Sequence, residues 1–176
     1  WAHKAYTPDG IYASSDLFQD VIRNAELKKL SLPPFMYRTE EKLGQLVAGE
    51  MHTIFGDTSV GKSLFIDSMI EHWIVNEPDQ VVGIMSLEAD QGRYTTNLLS
   101  RHLGVNLNRM EGKDRVNFLT QDDIKERVDK FLTKEGGAPA FYVYDNRGES
   151  VESLKDRVYE MIKSLGVTLL CVDVIS

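Results

Sequence analysis

Residues 56–63 read Gly56-Asp57-Thr58-Ser59-Val60-Gly61-Lys62-Ser63, a complete GxxxxGK[ST] run. Those residue types at that spacing do one kind of chemistry, the cradling of a phosphate chain. Gly56 and Gly61 let the backbone curl so that successive N–H groups face an anion. Lys62 sets a positive charge against the β- and γ-phosphates of a nucleotide, and Ser63 offers a hydroxyl to Mg²⁺. The flanks suit the motif: Met51–Phe55 is a short apolar run expected to be a strand, and the residues after Gly61 are expected to be a helix. The helix N-terminus would add its dipole to the same site. A glycine-rich turn bearing a surface lysine is the plainer alternative, but it would not require this spacing or these flanks.

Hydrolysis of a bound nucleotide also needs a metal-orienting acid and a group that positions the attacking water. Three apolar runs end in acids, at Glu88, Asp145 and Asp173. Carboxylates at the C-terminal ends of parallel strands converge on the ligand crevice of an open α/β sheet. Each could instead be a solvated strand-end acid, and Asp145, beside Asn146 and Gly148, could be a helix cap. FYVYD and LLCVD are both an apolar run plus Asp, so the residues alone leave Asp145 and Asp173 level.

The elements that must position these groups alternate along the chain. Strands are expected at Met51–Phe55, Val81–Leu87, Ala140–Tyr144 and Thr168–Val172. The helix from Gly61 to about Val75 carries Leu64, Phe65, Ile66, Met69, Ile70, Trp73 and Ile74, apolar on more than one side, which predicts burial in the middle of a domain. Tyr94, Leu98, Leu99 and Leu103 predict a second helix, closed by Gly104. Residues 105–120 are polar and show no clear period. Ile124, Val128, Phe131 and Leu132 predict a third helix, and Val151, Leu154, Val158, Met161, Ile162 and Leu165 a fourth, with Ser150 as its cap and Gly166 past its end. Near-continuous apolar strands alternating with helices predict an α/β fold, a parallel sheet with helices on both faces.

Ahead of this unit, Pro8-Asp9-Gly10 marks a turn, and Ser14 or Ser15 is placed to cap a helix starting near Asp16. Leu17, Phe18, Val21, Ile22 and Ala25 fall on one face of that helix. Leu32-Pro33-Pro34 ends regular structure. The chain therefore divides into an arm, linker helix and connector over residues 1–34 and an ATPase-like unit over 35–176. A helix outside the main core needs another surface for its apolar face.

Composition narrows the classes. With 176 residues, 42% hydrophobic and 27% charged, the chain is long enough for a substantial core. A single cysteine, Cys171, excludes a disulfide scaffold or Cys-rich zinc site and suits a reducing compartment. His52, His72 and His102 lack metal-ligand spacing. No apolar stretch is long enough to span a bilayer, and WAHKAYTPDG lacks a secretory pattern, so a cytoplasmic location and no membrane partner are expected. The net charge of −7 weighs against a simple basic nucleic-acid module. Arg93, Arg101, Arg109, Lys113 and Arg115 are loosely basic but interrupted by Glu111 and Asp114, which reads as a solvated surface. Trp1, Tyr6, Tyr12 and Phe18 make an aromatic-rich arm suited to packing on another subunit.

Together, VAGEMHTIFGDTSVGKS, GIMSLEAD, FYVYD and TLLCVDVIS resemble, in that order, the RecA-like motor domain of DnaB-type hexameric replicative helicases, above all the helicase half of phage primase-helicases and Twinkle. PDGIYASSDL resembles the linker region of the phage type. The resemblance implies a RecA-like P-loop NTPase fold, Mg²⁺ with ATP or dTTP as cofactors, and translocation on single-stranded DNA driven by hydrolysis. It implies that Gly56 to Ser63 form the Walker A loop, with Lys62 and Ser63 as its lysine and Mg²⁺-linked serine. Glu88 takes the place of the catalytic glutamate, and Asp173 that of the Walker B aspartate, because a serine-like position follows it in VDVIS, here Ser176. The helix at Asp16–Leu27 resembles the linker helix that docks on the adjacent protomer of a hexameric ring. In this family the sensor residue, DNA-binding loops and arginine finger lie beyond the Walker B strand, so DNA contact would run through regions this sequence does not contain. A later strand in that fold sits between the Walker A and Walker B strands, so the sheet here is expected to be incomplete, with a gap. Other RecA-like ATPases, such as strand-exchange recombinases and KaiC relatives, share the loop and Glu88. A non-catalytic module that uses nucleotide only to hold subunits together is the reading from another class.

Overall fold

The computed structural model describes residues 10, 12–14, 17–57, 60–86, 91–145 and 151–173. Trp1, Tyr6, Pro8, Asp9, Ser15, Asp16, Thr58, Ser59, Leu87, Glu88, Asn146, Gly148, Ser150 and Ser176, named above, lie outside those residues. In chain order the elements are α1 (Phe18–Ala25), β1 (Lys29–Leu30), α2 (Tyr37–Leu43), β2 (Leu46–Val47), α3 (Lys62–Asn76), β3 (Val82–Ser86), α4 (Gln91–Leu103), α5 (Gly112–Leu119), α6 (Asp122–Leu132), β4 (Phe141–Asp145), α7 (Val151–Lys163) and β5 (Leu169–Asp173), with short 3₁₀ turns between some of them.

The sheet is parallel, in the order β4-β3-β5. Val82 lies opposite Phe141 on one side and Leu169 on the other; four residues on, Ser86 lies between Asp145 and Asp173. Side-chain alternation along β3 explains how both faces are covered. Val82 and Ile84 face a core built with Met69, Ile70, Trp73 and Ile74 of α3, Tyr94, Leu98, Leu99 and Leu103 of α4, and Ile124 and Phe131 of α6. Met85 faces the other way, onto Met161 and Val167 at the α7 side. This is the expected mixed α/β architecture, a three-stranded parallel part of a RecA-like sheet.

Helix α4 ends as its sequence foretells. Gly104 takes φ +70°, its N–H donates to Arg101 O, and Val105 N–H donates to Ser100 O, the paired bonds of a Schellman motif. The expected second side of burial on α3 is only partly realised, since Leu64 and Val75 are exposed. Residues 105–120, which had no readable period, contain a 3₁₀ turn at Leu107–Arg109 and then α5.

One expected strand is absent. Met51–Phe55 is irregular, and Phe55 is 89% exposed. An apolar run becomes a strand only with a partner, and among the described residues none pairs with it. The nearest candidate edge, that of β5, is separated from residues 46–54 by a cleft of about 730 Å³ lined by both.

Before the sheet, β1 pairs antiparallel with β2. The connector after β1 is tied to the end of α3: Ser31 N–H and Oγ both donate to Glu77 Oε1, at 3.1 and 2.7 Å, and Trp73 Nε1 donates to Ser31 O at 2.9 Å. Helix α1 starts later than expected, with Leu17 at its N-cap and no side-chain cap; Ser14 contributes only its carbonyl, to Leu17 N–H. No α1 residue is buried. No helix among the described residues is long and apolar enough to cross a membrane.

Candidate nucleotide-binding site

The described residues of the Gly56–Ser63 run, Gly56, Asp57 and Val60 to Ser63, lie close to one another at the start of α3. Gly61, at φ +96°, ψ +24°, takes the left-handed conformation that only glycine adopts without strain, and it turns the chain directly into α3. Gly56 is needed for closeness: a Cβ there would lie 3.0 Å from Val60 Cγ2 and 3.4 Å from Lys62 Cγ. Lys62 is the first residue of α3, and its Nζ donates to Gly56 O at 2.7 Å and to Asp57 O at 2.9 Å. Ser63 follows in the first turn of α3, where the backbone N–H groups have no intrahelical acceptor and face outward from the helix end. That end therefore presents a positive side chain, a hydroxyl and a run of N–H donors together, the chemistry an anionic phosphate chain requires.

The strand-end acids are separated by the sheet order. Asp145 and Asp173 flank Ser86, so they stand two strand spacings apart, roughly 10 Å. Asp173 lines the 730 Å³ cleft together with Lys62; Asp145 is not among the cleft's lining residues. Lys62, Ile66, Met69 and Trp73 form the stripe of α3 that faces this cleft. Ser63 hydroxyl and Asp173 carboxylate are the oxygen donors a hard divalent cation selects, so the residues at this end of the sheet fit Mg²⁺. Glu88 lies outside the described residues, between the end of β3 and the start of α4.

The structure adds one group that the motifs did not single out. Asp67, 8% exposed, accepts a 2.6 Å hydrogen bond from Tyr94 Oη. Burial pushes the Asp67 carboxyl above the ordinary carboxylate range, against the Tyr94 hydrogen bond and the positive charge of Arg101, while the Asp173 charge pushes it further up. The Tyr94 hydroxyl is raised as well, by burial and then by the charge of Asp67, so it remains a donor. The signal was present in the sequence as a lone acid inside the apolar run Leu64-Phe65-Ile66-Asp67-Ser68-Met69-Ile70. Arg101, read as solvated surface, instead donates from Nη2 to Leu64 O at 3.1 Å. Cys171, packed among core residues, has its thiol pushed up to about 12 by burial, consistent with a small hydrophobe.

A GxxxxGK[ST] run opening a helix, on a parallel sheet covered on both faces and with a strand-end acid lining the same cleft, is the arrangement of an α/β nucleotide-binding domain. The chain belongs to the family described as DnaB-like helicase C-terminal domain, whose model matches residues 33–176. It is thus a helicase ATPase domain of the replicative DnaB type. No curated protein matches the sequence.

Proposed function

We propose that this domain hydrolyses a nucleoside triphosphate, ATP or dTTP, and couples the reaction to translocation on single-stranded DNA within a homo-oligomeric, hexameric ring. The observation that carries the reading is the shared cleft of Lys62 and Asp173 in a chain of this family. Residues Gly56 to Ser63 bind the phosphates. Lys62 offsets charge on the β- and γ-phosphates, and the N–H groups at the start of α3 hold the same oxygens. Ser63 and Asp173 would hold Mg²⁺, which when bound supplies further neutralisation of phosphate charge. Glu88 accepts a proton from the attacking water as its oxygen bonds to the γ-phosphorus and the bond to the β,γ-bridging oxygen breaks. Catalysis of this kind is almost wholly positioning and charge. Residues 1–34 act as arm, linker and connector, with α1 docking on a neighbouring subunit.

The test is made in the full-length protein, with phosphate release and binding of a fluorescent nucleotide measured side by side. Lys62→Ala should weaken nucleotide binding at least tenfold. Glu88→Gln should leave binding within about threefold and lower kcat by two orders of magnitude or more, as the loss of a general base does. Unchanged turnover in Glu88→Gln would remove Glu88 as the general base, whereas nucleotide binding without turnover in the parent would show that the nucleotide serves only to hold subunits together.

A further inference from the structure

Three polar contacts join α4 to successive turns of α3. Arg101 Nη2 donates to Leu64 O at 3.1 Å, Tyr94 Oη donates to Asp67 Oδ1 at 2.6 Å, and His102 Nδ1 lies 3.6 Å from Glu71 Oε1. Leu64, Asp67 and Glu71 fall three and four residues apart, one above another on a single helix face. The residues of α3 that line the cleft, Lys62, Ile66, Met69 and Trp73, lie on a different face, with Lys62 and Ile66 partly exposed and Met69 and Trp73 buried. Helix α3 is therefore held on its α4 side by polar contacts, two of them hydrogen bonds, whereas its cleft side is held by apolar packing and borders the cavity. Of the three contacts only the Tyr94–Asp67 bond is buried on both partners, where a hydrogen bond is strongest and least replaceable by water. It also sits close to the reacting end. Asp67 is one turn beyond Ser63, and the charge of Asp173 acts on both Asp67 and Tyr94.

We propose that Tyr94 and Asp67 are positioning residues: their hydrogen bond fixes the Lys62–Ser63 end of α3 relative to Asp173 at the end of β5. Neither residue belongs to the Gly56–Ser63 run or lines the cleft shared by Lys62 and Asp173. Binding of the phosphates is local to the loop and the first turn of α3, so it survives when the helix tilts. The relation between that turn and a different element, β5, does not survive. A displacement of about 1 Å in such a constellation costs on the order of a hundredfold in rate. The bond therefore acts on turnover and leaves affinity nearly untouched.

This inference rests on the hydrolysis proposed above, and the experiment separates the two. In the full-length protein, Tyr94→Phe removes the hydroxyl and keeps the ring. It should lower kcat at least tenfold, with KM and the dissociation constant of a fluorescent nucleotide within threefold of the parent. Asp67→Asn keeps an oxygen acceptor for the Tyr94 hydroxyl and should retain kcat within threefold, whereas Asp67→Leu should match Tyr94→Phe. Should Tyr94→Phe not fold, Arg101→Met removes the outermost contact and should show a smaller loss of the same kind, in kcat and not in affinity. Thermal melting measured in parallel identifies a merely structural role: a lower Tm with unchanged kcat overturns the assignment, as does an Asp67→Asn variant as slow as Asp67→Leu. Normal turnover in Tyr94→Phe beside an inactive Glu88→Gln rejects this inference alone. Nucleotide binding without turnover in the parent rejects the hydrolytic reading beneath it.

Discussion

Asp67 carries a cost that the fold accepts. A carboxylate taken out of water is penalised unless its oxygens find donors, and here the Tyr94 hydroxyl and the nearby Arg101 charge only partly offset burial and the repulsion from Asp173. The net direction is upward from the ordinary value of 3.8. An acid with a raised folded-state pKa binds its proton more tightly in the folded chain than in the unfolded one. Stability is therefore greatest below about pH 4 for this group, falls as pH rises through the window up to the raised value, and stays lower above it. Asp67→Asn cannot ionise and keeps the acceptor. The difference in Tm between Asp67→Asn and the parent should move in favour of the variant between pH 4 and pH 7, since the parent alone loses stability there. Melting curves across that range check it, and a Tm difference that is flat with pH would mean that Asp67 titrates normally.

At the scale of elements, the sheet and α7 meet across a glycine. Gly83 sits in the middle of β3, pointing toward α7, and a Cβ there would fall 2.8 Å from Val167 Cγ1, 3.0 Å from Met161 Cε and 3.1 Å from Leu170 Cδ1. Val167 is β-branched and 4% exposed, so it has little freedom to withdraw. Gly83→Ala should cost about 1–3 kcal/mol by overpacking, lowering Tm by roughly 3–10 °C, and Val167→Ala in the same chain should restore part of the loss. The same strand shows why the sheet was legible: Val82 to Ser86 is buried on both faces, and a strand so placed must read as a continuous apolar run whatever its partners. Met51–Phe55 reads the same way and is no strand, because an apolar run records what a segment would bury and not whether an edge lies beside it. Helix α2, Tyr37–Leu43, went unread for the opposite reason: it buries none of its residues, so no stripe marks it. The motif from Gly56 to Ser63 was legible in the sequence because its spacing is local, set within eight residues, and the backbone at Gly61 and the start of α3 agree with it. The Tyr94–Asp67 bond was not, since its partners are 27 positions apart and only the packing of two helices brings them together.

For the whole molecule the open question is what the apolar face of α1 covers. Phe18 is 67% exposed, Val21 63% and Ile22 42%, on a helix whose polar residues occupy its other side. Fully burying such side chains stabilises by about 1.5–3 kcal/mol each, so three together are enough to bias assembly when a complementary surface is offered. The segment that follows α1 is not loose: Lys28 pairs with Asp79, and Ser31 is clamped by Glu77 and Trp73 at the end of the helix whose beginning holds Lys62. A neighbour that grips α1 would thereby be connected, through the connector, to the phosphate-binding helix. In the full-length protein, Phe18→Glu combined with Val21→Glu should reduce the mass measured by light scattering from an oligomer toward the monomer, and turnover should fall with it. Nucleotide binding should remain, because the phosphate loop and Lys62 belong to a single chain. Leu43→Glu, at a position 81% exposed on α2, introduces the same charge away from that face and should leave both mass and turnover unchanged. If the double substitution leaves the mass unchanged as well, the face of α1 is covered by something other than a second copy of the chain.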